Sequence, residues 1–255
     1  MSDFLKDNLE KIGYTPSERQ CMQLDGFHKI LCEWNEFMNL TGITEYEEVV
    51  IKHFVDSLAV NCVYSFKNTD KVVDIGTGAG FPGIPLKIMY PEVKFTLLDS
   101  LNKRIKFLDE VIKVNELQNI ETLHGRAEDY AKNKEYREQF DVCVSRAVAN
   151  LSTLSEYCLP YVKVGGVFIA YKAGQIEDEL KAGERAVKLL GGEITDVHKF
   201  TLPDTDIDKL NLRGTTVIMA SHAKRFINLM RRRVVTLVDG RILGDVPRGR
   251  YGDLV

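Results

Sequence analysis

Between Lys71 and Gly83 the chain reads Lys-Val-Val-Asp-Ile-Gly-Thr-Gly-Ala-Gly-Phe-Pro-Gly, and few folds accommodate such a run. Its first half is a short apolar stretch with β-branched residues, the pattern of a buried strand. Its second half sets Gly76, Gly78, Gly80 and Gly83 within eight residues, with Pro82 where a helix can open. A strand, a glycine turn and a helix let backbone come close to a ligand, because no Cβ intervenes. Two classes of cofactor site have this form. A dinucleotide fold wants Gly-x-Gly-x-x-Gly, which Gly78, Gly80 and Gly83 satisfy literally. A Rossmann-like methyltransferase instead closes the strand with an acid before the glycines, and Asp74 stands there. A carboxylate suits the sulfonium and ammonium of S-adenosylmethionine (AdoMet) and opposes a pyrophosphate. The stretch therefore favours AdoMet over a nicotinamide dinucleotide, and over a purely structural turn.

A chain of 255 residues holds one α/β domain with an added helical layer, or two small domains. The five cysteines are scattered and mostly in apolar surroundings, which predicts reduced core residues and no disulfide framework. The five histidines are equally dispersed, so no metal site is expected. Neither a signal peptide nor a run of 18 apolar residues is present, and a soluble, cytoplasmic protein follows as the expectation. Charge is uneven. Residues 213–255 carry nine Lys/Arg against three Asp, a surplus of +6 that leaves −9 on residues 1–212 of a chain at −3. A basic tail on an acidic body fits contact with nucleic acid.

The first 65 residues predict helices. Thr15-Pro16-Ser17-Glu18 reads as a capping box with proline at the first helical position. Leu24, Phe27, Leu31, Trp34 and Phe37 then form an apolar stripe expected to face the core. A second box, Thr44-Glu45-Tyr46-Glu47, is expected to open a helix carrying Val50, Phe54 and Leu58. His53 and Asp56-Ser57 lie either on its surface or against a cofactor site. From residue 71 strands and helices alternate, which predicts a mostly parallel sheet. Strands are expected at 71–75, 94–99, 120–124, 141–145 and 166–171, and helices near 83–90, 102–115, 152–160 and 175–190.

Ligands of such sheets lie beyond the carboxyl ends of the strands, so the residues just after each strand are the candidates. After the second comes Asp99, able to hold ribose hydroxyls or to cap a helix. After the third come Ala127 and Glu128, where an AdoMet enzyme places adenine. After the fourth comes Ser145-Arg146-Ala147-Val148. No Asn/Asp-Pro-Pro-aromatic motif is there to accept from an amine, and no Pro-Cys nucleophile is there to attack a pyrimidine. An arginine suits a ring nitrogen with a free lone pair, such as guanine N7, which needs positioning and electrostatics and no base. It can also grip phosphate or guanine edges bidentately. Lys172, ending the fifth strand, is a weaker candidate for RNA phosphate, and His53 another weak RNA contact.

These residues resemble one family. Asn39-Leu40-Thr41, His53-Phe54-Val55-Asp56-Ser57-Leu58, Asp74 through Gly83 and Leu98-Asp99-Ser100 are similar to the bacterial small-subunit ribosomal RNA guanine-N7 methyltransferases, also called glucose-inhibited division protein B. Lys103-Arg104, Arg126-Ala127-Glu128, Ser145-Arg146-Ala147 and Phe200-Thr201-Leu202-Pro203 continue the likeness, which covers about residues 1–212. It implies AdoMet binding through Gly76, Phe81, Ala127-Glu128 and Arg146, and methylation of one guanine in the small-subunit RNA or the 30S subunit. Beyond it, Arg213 through His222, Arg231-Arg232-Arg233-Val234 and Asp239-Gly240-Arg241-Ile242 resemble the end of a cell-division ABC-type ATPase. No Gly-x-x-x-x-Gly-Lys-Ser/Thr loop accompanies them, so no triphosphate cradle forms. A fused reading frame with its junction near Leu210–Gly214 is the expectation.

The expected organisation is a helical extension over 1–65, an AdoMet-binding core over 66–212 and an atypical tail over 213–255. In the tail, Thr215–Ala220 is expected to supply a last strand, Lys224–Arg231 a short helix and Asp239-Gly240 a hairpin turn, with 222–255 loosely docked. A monomer is expected. Two other readings compete: a nicotinamide-dependent oxidoreductase, and an RNA-binding protein whose altered tail has impaired catalysis.

Overall fold

The computed structural model describes residues 3–173, 176–200, 202–203, 215–221, 234–238 and 241–246. Two helices open the chain, α1 (Asp3–Lys11) and α2 (Glu18–Met38). The cap of α2 is Ser17, extended at φ −69° and ψ 162°, and its hydroxyl takes the Gln20 amide while Gln20 returns to the Ser17 amide. The capping box is thus Ser17 to Gln20, with Pro16 outside the helix; Thr15 lies too far back to reach the first turn. The expected box at Thr44 does not form either. Glu45 caps α3 (Tyr46–Val49) without a side-chain bond, and the Thr44 carbonyl instead accepts from His28 Nε2 at 2.9 Å. After α3 the backbone widens into a π-helical turn (Val50–Val55) and tightens again through α4 (Asp56–Leu58).

The sheet follows. Strands β1 (Lys71–Ile75), β2 (Lys94–Asp99), β3 (Ile120–His124), β4 (Phe140–Arg146) and β5 (Val162–Ala173) run parallel. Between them lie α5 (Gly83–Met89), α6 (Asn102–Val114), α7 (Ala127–Tyr130) and α8 (Leu151–Cys158). Then come α9 (Glu177–Leu189), β6 (Ile194–Phe200) and β7 (Thr215–Ser221). The spatial order is β3-β2-β1-β4-β5-β7-β6, with β7 antiparallel to both neighbours. β8 (Val234–Val238) and β9 (Arg241–Val246) form a separate two-stranded hairpin. The expected helix at Lys224–Arg231 and the turn residues Asp239-Gly240 lie outside the described residues.

Strand periodicity explains how one sheet serves two cores. Val72, Val142, Val144, Val167, Ile169 and Tyr171 face α1, α2, α5 and α6, whereas Val73, Ile75, Cys143, Phe168 and Ala170 face α8 and α9. The first core runs without a break from Leu5 and Phe27 to Tyr171, so the N-terminal helices complete one face of the sheet. Phe37 departs from expectation: it is 69% exposed on the last turn of α2, and Met38 takes the buried position. β5 also begins earlier than its apolar run. Gly165 and Gly166, inside the strand, sit in an irregularity where the register slips between Phe140 and Val142.

Candidate active site

The order of a parallel sheet reverses between β1 and β4, and the crevice at that point is where α/β sheets take ligands. Asp74 lies near the end of β1 and is wholly buried. Its Oδ2 accepts from the Thr77 hydroxyl at 2.8 Å and from the Gly83 amide at 2.9 Å, pinning both ends of the glycine turn. Asp74 Oδ1 is buried and has no hydrogen-bond partner among the described residues. Burial raises this carboxyl to about 7, against the lowering effects of Thr77, Gly83 and Arg146. From its place before the glycines Asp74 is expected only to be able to ionise toward a cationic ligand. Burial on this scale was not legible in the sequence, and neither was Thr77.

The turn itself needs glycine. Gly78 adopts φ +62°, and a Cβ there would meet only the Gly76 carbonyl at an ordinary 3.9 Å, so the left-handed backbone rather than space demands the residue. At Gly83 the reason is space: a Cβ would run into Leu97 and lie 2.7 Å from Asp74 Oδ2. Gly76 and Gly80 also have positive φ, and Val148 from the loop after β4 covers Gly76. Phe81, 5% exposed, ends the turn.

Asp99 ends β2. Its Oδ2 accepts from the Gly78 amide (2.9 Å) and Arg104 (3.2 Å), and its Oδ1 from the Leu101 amide (2.9 Å). A carboxylate accepts about four hydrogen bonds, and three are already in use. Leu101, not Asp99, is the cap residue of α6. Ala127 opens α7, and its carbonyl accepts from the buried Tyr161 hydroxyl at 2.6 Å, while Glu128 is exposed.

Arg146 ends β4 and points to the N-terminal layer. Its Nη1 donates to Asp56 Oδ2 at 2.7 Å, an ion pair whose side chains are 15% and 8% exposed. Removing one partner of so buried a pair costs about 3–5 kcal/mol. Nη1 also reaches the Lys52 carbonyl and Nη2 reaches His53 Nδ1, both at 3.4 Å. The guanidinium lies over the Phe81 ring at 4.9 Å, and the His53 ring packs on the same phenyl at 4.5 Å. Burial first, and then the Arg146 charge, lower His53 to about 4. His53 is therefore a neutral ring, tied at Nε2 to the Thr41 hydroxyl (3.0 Å).

Lys172 does not join this group. Its ammonium pairs with Glu179 at 2.6 Å and meets the Ala149 carbonyl, so it braces β5 against α9 and the loop before α8. Its charge is spent inside the fold, and it offers no free cation to a phosphate. Among the described residues no cluster of His, Cys, Asp and Glu could hold a metal ion, and no helix is long and apolar enough to cross a membrane.

A dinucleotide-binding sheet of this order would continue outward from its fifth strand with a sixth parallel one. Here β7 runs the other way and separates β5 from β6, which places the chain among the Rossmann-like AdoMet-dependent methyltransferases. The fold recurs in a precorrin-6y C5,15-methyltransferase from Geobacter metallireducens, with TM-score 0.52 and 14% identity over 66% of this chain and 88% of that one. It recurs again in a SAM dependent methyltransferase from Aquifex aeolicus, with TM-score 0.51 and 16% identity over 68% and 92%. Sequence narrows the class further. The family model for rRNA small subunit methyltransferase G matches residues 20–207. The ribosomal RNA small subunit methyltransferase G of Lachnoclostridium phytofermentans is 53% identical over 201 residues, 79% of this chain and 83% of that protein. Its namesake in Clostridium tetani is 48% identical over 205 residues, 80% and 86% of the two chains. The chain belongs to the rRNA small subunit methyltransferase G family.

Proposed function

We infer that the chain transfers the methyl group of AdoMet to N7 of a guanine in small-subunit ribosomal RNA. Family membership sets the class, and the group at the end of β4 carries the chemistry. Guanine N7 has a free lone pair and loses no proton on alkylation, so the site needs no base, only a cation that grips phosphate or the guanine edge and orients it. Arg146 is that cation, and His53 beside it is already neutral. AdoMet, when bound, supplies an electrophilic methyl on sulfur.

The residues present fit that donor. The orphaned Asp74 Oδ1 is a buried acidic atom with nothing to balance it, as a site for the cationic methionine end requires. The backbone of Gly76, Gly78 and Gly80 with Phe81 would line the methionine and sulfonium. Asp99, with one acceptor position left, would take the ribose, and Ala127 with Glu128 would flank adenine. Arg146 would serve both cofactor and guanine. This orients the base against the methyl group, an effect that accounts for much of the rate in reactions with no proton to move. A nicotinamide oxidoreductase has no support in the sheet order or in the relatives.

Such an enzyme acts where ribosomal RNA is made, in the cytoplasm, on the RNA or the 30S subunit, and as a monomer. Residues 213–255 we read as a segment joined from the end of an ABC-type ATPase; β7 lies within it, which supports the view that a foreign strand can complete the sheet. Limited proteolysis that leaves 222–255 intact would contradict a loosely docked tail.

The function is tested with labelled AdoMet and small subunits from cells lacking their own N7 enzyme. Label recovered as 7-methylguanine at one position is the expected result. AdoMet binding without transfer would favour the impaired RNA-binding protein, and no binding would sink the cofactor assignment.

A further inference from the structure

Arg146 comes from the sheet, but the groups that hold it come from the N-terminal layer. Asp56 opens α4, and Lys52 and His53 belong to the π-helical turn just before it. Single π-helical turns inside helices are frequent at functional sites.

Arginine presents five N–H donors in a rigid planar fork. Two are engaged, both on Nη1, with Asp56 and the Lys52 carbonyl; Nη2 lies 3.4 Å from His53 Nδ1, which itself donates to the Lys52 carbonyl at 3.0 Å. Among the described residues, Nε–H and the Nη2–H beside it have no partner that accepts. These two lie side by side on one edge of the fork, the edge that takes a carboxylate or a phosphate with two parallel bonds. Phe81 beneath the guanidinium fixes its plane. A long side chain free of such contacts samples many rotamers and meets an anion in a poor geometry.

We propose that Asp56 is the positioning residue for Arg146: by holding one edge of the guanidinium it aims the other at a pair of anionic oxygens in the reacting complex. The proposal rests on the function inferred above. The oxygens belong to the AdoMet carboxylate or to a phosphate of the RNA, and the two sources give different readouts.

The test is a double-mutant cycle of Asp56→Asn and Arg146→Ala, read as AdoMet affinity by equilibrium dialysis and as KM and kcat for small subunits. Asp56→Asn should weaken by tenfold or more whichever parameter Arg146→Ala weakens. It should change that parameter less than twofold once Arg146 is alanine. An effect on AdoMet affinity identifies the carboxylate; an effect on KM for subunits with AdoMet affinity unchanged identifies the phosphate. Asp56→Glu, which keeps the charge, should restore most of the loss. Equal factors in both backgrounds, or less than a twofold effect in the wild-type background, overturn the proposal.

A further readout needs neither ligand nor activity. The ¹H–¹⁵N NOE of Arg146 Nε–H, assigned by its absence in Arg146→Ala, should lie near backbone values and fall in Asp56→Asn. An unchanged NOE overturns the positioning role whatever the chain methylates, whereas wild-type protein that fails to transfer methyl overturns the function alone. If Asp56→Asn does not fold, Asp56→Ser carries the same measurements.

Discussion

Asp74 holds a carboxyl where water does not reach, with one oxygen bonded and the other left over. Burial raises it to about 7, so the folded apo protein keeps its proton at pH values where an unfolded chain, near 3.8, has lost it. Stability from this group is therefore full below about pH 4 and is lost as pH rises through 7. Binding a cation has the opposite preference, because it requires the carboxylate. AdoMet affinity should fall by up to about tenfold for each pH unit below 7, with a proton released on binding. Calorimetry between pH 5.5 and 8 checks this. Asp74→Asn should abolish the dependence, and a flat profile in wild type would remove Asp74 from the cofactor site. The acid before the glycines was visible in the sequence because residue type and spacing carry it. Its missing partner was not, since an orphaned atom depends on everything packed around it. Asp56 shows the same limit: the sequence left it between a helix surface and a site, and only the fold brings it to Arg146, 90 positions away.

At the scale of elements, local pattern served strands better than helix ends. β1, β2 and β3 begin and end where β-branched runs and flanking turn residues predict. Three features escaped: the π-helical turn, β6 and the irregularity in β5. Each depends on partners distant in sequence. The pairing of α8 and α9 offers a clean test of packing over propensity. Gly183 lies inside α9, where alanine ordinarily stabilises a helix by about 1 kcal/mol. A Cβ there would stand 2.6 Å from Leu151 Cδ2 and 2.9 Å from Leu151 Cβ, which is too close for either helix to absorb without moving. Gly183→Ala should therefore destabilise the protein by about 1–3 kcal/mol in urea unfolding. A gain in stability would show that the two helices are free to part.

For the whole molecule, two cores share one sheet, and β7 holds β6 to it. Ile218 pairs with Ala170 on one side and Val197 on the other. Proline there lacks the amide that a central strand must donate. Ile218→Pro should leave β1, β2 and β4 protected from hydrogen exchange while the amides of β6 exchange at least tenfold faster. Undiminished protection in β6 would show that it has other means of attachment. Parallel order and the N-terminal layer were legible from alternation and helical stripes; the place of β7 was legible only as a strand-forming run, without its neighbours.

That place has a consequence for how the protein is made. The strand at the rim, β6, leaves the ribosome before β7, the strand that must stand between it and β5. Until β7 follows, the growing chain carries two bare hydrogen-bonding edges, and β6 could meet β5 directly only by occupying the slot that β7 is to fill. Completion of the sheet is an insertion rather than an addition. Slow translation across the segment that joins β6 to β7 would lengthen the interval in which a nascent chain can pair with the wrong neighbour.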